Sequence, residues 1–225
     1  MSGLLRSKRS LVALFGLMGA VVIADVARAQ NPPTAPPATQ PPAGGRAGGG
    51  GGRGGGGGRG GIVAMTLTSS GFTDGGMIPM KHAQAGHDVS PPLSWSGAPD
   101  STRAFVLLVH DADAAIGDGT DDMLHWMVWN MPGTMTSLPE GVPQGSQSPA
   151  LRQISGTGPY YRGPAAPSTG PMHHYIFELY ALDNTVNVVA VGQSAVATRA
   201  AVMSAMATHI RGKATLVGLY RRPAP

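Results

Sequence analysis

From Gly44 to Gly61 the chain is nearly all glycine, broken chiefly by Arg46, Arg53 and Arg59. A run with almost no side chains has nothing to bury, so it cannot join a folded core and is expected to be disordered. The stretch before it, Asn31 to Pro42, is Pro-rich and favours extended polyproline II over a packed element. Residues 30–61 are therefore expected to act as a spacer; three arginines on a loose chain are weak grounds for a binding surface. Whatever folds is built from residues 62–225, a length sufficient for one core.

The N-terminal residues 1–29 have the pattern of a secretory signal. Arg6, Lys8 and Arg9 precede an apolar run from Leu11 to Ile23, and Ala27-Arg28-Ala29 supplies a small-x-small cleavage site. The run is shorter than the ~20 residues a spanning helix needs. Cleavage after Ala29, no integral span afterwards, and a periplasmic or secreted location are expected. The basic balance of the whole chain belongs to these outer segments. Residues 62–225 hold nine Lys and Arg against eleven Asp and Glu, which argues against a nucleic-acid-binding face. The chain has no cysteine, which excludes disulfides, thiolate metal sites and a cysteine nucleophile.

Past Ile62 the pattern becomes that of strands and long loops. Ile62–Thr68 is predicted as a first strand, and Thr73–Pro99 is rich in turn residues. Ala104–His110 is a continuous apolar run of strand length, and His125–Met131 is another, stopped by Pro132-Gly133. Gly141–Gly170 is dense in Gly and Pro, and His173–Leu182 is a long strand. Ser194 is placed to cap a helix with Val196, Ala200, Met203, Ala207 and Ile210 along its buried face and Gly212 at its end. Lys213–Tyr220 is a last strand. Strands separated by loops rather than by regular helices argue against a doubly wound sheet.

Polar residues collect at strand ends. Asp111 and Asp113 follow the run Ala104–His110, His125 opens the next strand, and His173 and Tyr175 open the long one. Strand alternation places His173 and Tyr175 on one face with His174 on the other, and places His125, Met127 and Trp129 together. Each such residue alone is more often structural than functional, since an Asp after a strand commonly closes a turn.

Taken in order, these residues resemble the phosphatidylethanolamine-binding protein family, in particular its Raf-kinase-inhibitor-like branch. The matching runs are Ile78-Pro79 with Lys81, Asp88 to Trp95, Asp111-Ala112-Asp113-Ala114, and His125-Trp126 ahead of Asn130 and Pro132. Tyr161 with Gly163-Pro164, His173-His174-Tyr175, Tyr180 to Asp183, and His209 with Leu216 to Arg221 complete the set. The resemblance covers nearly all of 64–222. It implies a mainly β fold of two antiparallel sheets, sandwich-like, with peripheral helices, one of them near the C-terminus. It also implies a small pocket for phosphate-like anions. Asp111, His125, His173 and Tyr175 match the pocket positions, and Gly163, Pro164, Ala165, Ala166 and Pro167 match its flexible wall. The family loop usually reads Gly-Pro-Cys-Pro-Pro, and His174 stands where arginine is usual. An insertion, Ile116–Asp122, adds Asp118, Asp121 and Asp122 near the rim.

The expected function is that of a non-enzymatic, exported binding protein for a small anion or phospholipid headgroup, with no cofactor and no metal. Imidazole, phenol and backbone N–H groups are the donors an oxyanion needs, and Asp111 suits an ammonium group. Two histidines and a carboxylate are also an iron or zinc ligand set, so a metal site is the main alternative. A calcium loop starting at Asp111 fails, because Ile116 and Asp122 stand where glycine and glutamate are required. A hydrolase reading lacks both the Gly-x-Ser-x-Gly and the His-Glu-x-x-His frameworks. Modulation of a protein partner such as a protease or kinase, and homodimer formation, are further readings left open by the sequence.

Overall fold

The computed structural model describes residues 61–145, 151–192 and 194–225. The expected signal segment 1–29 and all but the last residue of the expected spacer 30–61 lie outside the described residues. Ten strands and one α-helix follow in order: β1 Val63–Ala64, β2 Thr66–Thr68, β3 Gly76–Met77, β4 Leu93–Ser96, β5 Ala104–Ile116, β6 Asp121–Pro132, β7 Ser137–Leu138, β8 Arg152–Ile154, β9 His173–Leu182, α1 Ala195–Met206 and β10 Ile210–Tyr220.

Seven strands form one sheet in the order β1-β10-β9-β5-β6-β8, with β3 also paired to β10; β2, β4 and β7 form a second sheet. Pairing is antiparallel except where β1 and β3 run parallel to β10. The expected two-sheet, mainly β architecture is the one observed. Between the sheets lies a core that includes Leu67, Leu93 and Trp95 from the small sheet and Phe105, Leu107, Trp126, Phe177 and Leu216 from the large one. The other face of the large sheet has its own core, where Val106, Leu108, Met127, Trp129 and Leu182 meet Val202 and Met206 of α1. The apolar run of β5 is continuous because both of its faces are covered.

Three expectations need correction. First, Ile62–Thr68 is two short strands in different sheets, not one. Second, the segment Ile116–Asp122 extends the β5–β6 hairpin: Ile116 pairs with Asp121 and Ala115 with Asp122. Gly117 and Gly119 take positive φ at the tip, which a side chain would resist. Third, α1 buries a different face. Ser194 does cap it, accepting from the Ala197 N–H at 3.2 Å, but the buried residues are Thr198, Val202 and Met206, while Val196 is 58% exposed. In an alanine-rich helix apolar spacing marks the core face poorly. The polar Thr198 is buried because its hydroxyl donates to Ser194 O at 2.7 Å and accepts from Val191 N at 2.9 Å. Nor does Gly212 end this helix. It lies in β10 opposite Ala181, where a Cβ would sit 2.7 Å from Met65 Sδ.

These two helix faces predict opposite outcomes. Met206→Ala should destabilise the fold by about 2–5 kcal/mol, whereas Val196→Ala should change it by less than about 0.5 kcal/mol. Chemical denaturation of the two variants measures the difference; equal losses would show that the helix packs on the other face.

Candidate functional site

Asp111, at the end of the buried part of β5, pairs across the ladder with Tyr175 of β9, so both side chains leave the sheet on the face toward the small sheet. His173 lies two residues earlier on that face. Its Nδ1–H donates to the Asp111 carboxylate, 2.9 Å from Oδ2 and 3.1 Å from Oδ1. Asp111 is 3% exposed and also accepts the Asp113 N–H at 3.0 Å. His174 emerges on the other side and pairs with Asp113 at 2.9 Å in the open.

His125 reaches the same place by a different route. Val109 pairs with Trp126 but His110 pairs with Leu124, leaving His125 as the extra residue of a β-bulge. The bulge breaks the alternation: Met127 and Trp129 face the helix-side core, as does Leu124, while His125 packs edge-on against Tyr175 with ring centroids 5.0 Å apart. The expectation that His125, Met127 and Trp129 share a face is thereby overturned. The His125 Nδ1–H donates to Arg162 O at 2.8 Å and Gly163 O at 3.0 Å. Burial holds this imidazole below its ordinary pKa, against the two carbonyls and Asp111, which favour the charged form. At neutral pH His125 is the Nδ1–H tautomer with a bare Nε2.

The loop Gly163–Pro167 is fastened by its backbone. Gly163 N–H donates to Asp88 Oδ1 at 2.9 Å, Gln84 donates from Nε2 to Gly163 O and from its backbone to Pro164 O, and Arg222 N–H donates to Ala166 O. Ala165 N–H and Ala166 N–H both donate to the Tyr175 hydroxyl, at 3.2 and 3.1 Å. A Cβ on Gly163 would lie 2.1 Å from His82 O, so that position admits only glycine. Burial pushes the Tyr175 phenol well up; the Ala165 N–H works against this and the negative charge of Asp111 works with it.

A cleft of about 420 Å³ opens over these residues. Asp111, His125, His173, Ala165, Ala166 and Pro167 line it; Gly163, Pro164 and Tyr175 support the wall from behind. Gln84, Arg162 and Thr157 also line the cleft and were missed by sequence reasoning. Arg162 carried one usable signal, a cation immediately before the loop glycine; Gln84 and Thr157 carried none. The donor inventory differs from that expected from the sequence. The two loop N–H groups are already engaged within the protein, on the tyrosine hydroxyl oxygen. What faces the cleft is the pair of Nε2 atoms, neither with a hydrogen-bond partner among the described residues, and the Arg162 guanidinium, which lies 3.7 Å from Asp88. Among the described residues no three His, Asp or Glu side chains are spaced to hold a metal ion.

A second polar network lies on the opposite face. His110 Nδ1 approaches Asp122 at 2.5 Å and its Nε2 lies 3.6 Å from Glu178. Arg199 of α1 pairs with Asp122, while Lys213 and Tyr180 hold Glu178 at 2.6 and 2.9 Å. Asp122, expected at the pocket rim, is thus directed to the other face. Asp118 and Asp121 are exposed at and beside the hairpin tip.

Comparison with known proteins agrees with this fold. The family model for phosphatidylethanolamine-binding proteins matches residues 68–221. A UPF0098 protein of Methanothermobacter thermautotrophicus is 37% identical over 161 residues, covering 70% of this chain and 99% of that one. A UPF0098 protein of Pyrococcus horikoshii is also 37% identical, covering 72% and 80%. Among solved structures, a phosphatidylethanolamine-binding protein homologue of Chlamydia trachomatis is 32% identical with a TM-score of 0.57, over 71% of this chain and 98% of that one. Escherichia coli YbcL, described as a member of the mammalian family, is 25% identical with a TM-score of 0.60, over 70% and 98%.

The histidines should separate on titration. Burial holds His82 and His125 down, so both should have midpoints below ~6.5. Burial opposes charge on His110 too, but Glu178 and Asp122 outweigh it, and its midpoint should lie above ~6.5. The stability consequences have opposite signs. The contribution of neutral His125 is full above ~6.5 and declines as pH falls toward its folded value; that of charged His110 is full below ~6.5 and is lost as pH rises through its folded value. Ring-carbon NMR across pH 4–9 reads each midpoint, and His110 titrating below His125 would refute the assignment.

Proposed function

The chain belongs to the phosphatidylethanolamine-binding protein family, and on that premise we propose that it is a non-enzymatic binding protein. Its ligand is a small anion or phosphorylated headgroup held in the Asp111–His125–His173 cleft, and binding draws in protons. The observation that carries this reading is the shared state of the two histidines. Each has its Nδ1–H fixed on a protein acceptor and leaves Nε2 uncommitted at one cleft. A bare Nε2 accepts; a protonated one is a charged donor, the stronger kind for an oxyanion. Arg162 supplies a permanent charge at the rim. Asp111 orients His173 and remains able to accept from an ammonium group.

Two further features favour binding over turnover. The Tyr175 hydroxyl has its phenol pKa well raised and is no nucleophile near neutrality. The adjacent loop N–H pair, which in an acyl-transfer enzyme would form an oxyanion hole, is engaged by that same hydroxyl. Around the domain, the reading proposes removal of residues 1–29 on export, with residues 30–61 as a spacer between the new N-terminus and the fold. N-terminal sequencing of the exported product should begin at or near Gln30; an intact Met1 in a membrane fraction would contradict it.

Methyl sulfate, which does not titrate in this range, tests the proton linkage. Its affinity should be higher at about pH 5.5 than at about pH 8, rising by up to about tenfold per pH unit for each proton taken up. The bound anion raises the histidine pKa, so affinity climbs as pH falls through the bound value and levels below the free one. His173→Ala should weaken binding and flatten its pH dependence in calorimetry. Equal affinity at both pH values in the wild type would remove the histidines from the site.

A further inference from the structure

The cleft over Asp111 is too large for its proposed occupant. Its volume of about 420 Å³ falls within the roughly 300–1,000 Å³ of pockets for whole organic ligands. A phosphate or sulfate would leave most of it to water. A second cleft of about 620 Å³ lies between α1 and the extended β5–β6 hairpin, on the helix side of the sheet. Met123, Leu124 and Gly156 line both clefts, forming a common wall.

Resting on the headgroup reading above, the geometry points to one ligand that uses both clefts: an amphiphile with its anionic head at His125 and His173 and an unbranched apolar chain passing over Met123 into the α1 cleft. Three observations carry this. The α1 cleft is walled chiefly by apolar side chains, Ile116, Met123, Leu124, Val196, Ala200 and Met203. Val196 and Met123 remain 58% and 38% exposed, although a soluble fold gains by covering such groups. The charged residues there do not make it a second anion site. Arg199 is neutralised by Asp122, and Asp121 adds negative charge at the mouth. Finally, Gly156 stands at the junction without a local need for glycine. It has no positive φ, and a Cβ there would meet Leu124 O at 3.4 Å and Met123 Sδ at 3.6 Å, both ordinary contacts. Without a side chain it adds no bulk to the wall that the two clefts share, beside a flexible thioether that can yield to a chain.

Alkyl sulfates of increasing length, kept below the concentration at which they form micelles, test the idea on the whole domain at pH 5.5. Burying a methylene is worth about fourfold in affinity. With half of each methylene covered, octyl sulfate should bind on the order of 100-fold tighter than methyl sulfate. Ala200→Trp fills the α1 cleft from an exposed helix position and touches nothing in the anion cleft. In that variant the chain-length gain should fall to within about threefold while methyl sulfate binds as in the wild type, which also shows that the variant is folded. Val196→Trp should behave alike. An octyl-to-methyl ratio below about threefold in the wild type, or a ratio unchanged in both tryptophan variants, overturns the second cleft while leaving the headgroup reading intact. Methyl sulfate that fails to bind the wild type, with octyl sulfate still sensitive to Ala200→Trp, overturns the headgroup reading and with it the single spanning ligand.

Discussion

One buried hydroxyl holds the site together. Tyr175 Oη accepts the N–H groups of Ala165 and Ala166 and lies beside Asp111, its partner across the ladder. The loop, which no strand pairs, is thereby pinned to the middle of the large sheet beside Asp111. Asp111 in turn fixes the ring of His173. A buried polar group is stabilising only while every partner is present. Loss of the hydroxyl would leave two backbone donors short of a partner at once, so the loop wall of the site depends on one atom.

The same network explains how Ala165 and Ala166 serve where a cysteine and a proline are usual. A proline at either position would restrict the backbone but could not donate to Tyr175. Here the restriction comes from hydrogen bonds through Gly163, Pro164 and Ala166 to Asp88, Gln84 and Arg222. The loop is ordered by what it touches rather than by its own stiffness.

Much of the fold was legible in the sequence, because its strands are long and their burial is extreme. β9 begins and ends at His173 and Leu182 as predicted, and β5 contains the apolar run Ala104–His110. The grouping of Asp111, His173 and Tyr175 also follows from alternation once β5 and β9 are neighbours. His125 does not follow. It joins the site through a bulge, and a one-residue irregularity leaves no mark in an apolar run buried on both faces. Had the alternation held, His125 would lie under α1 with Met127 and Trp129. The helix face does not follow for a related reason: alanine is equally at home inside and outside, and the residue that marks the buried side, Thr198, is polar. Asp122 was placed at the wrong rim because extending a hairpin by an even or odd number of residues decides which side of the sheet a carboxylate faces.

The large sheet ends at both margins in very short strands: β1 and β3, two residues each, beside the eleven-residue β10, and the three-residue β8 beside the twelve-residue β6. Long strands at a sheet margin present rows of unpaired backbone groups that recruit another chain. In this protein the long strands are interior, and Val63, Ala64, Gly76 and Met77 shield β10 from such recruitment. These four residues therefore matter to colloidal behaviour out of proportion to their burial. A chain clipped just beyond Ala64 would keep its clefts and both cores, yet expose part of β10 to self-templating.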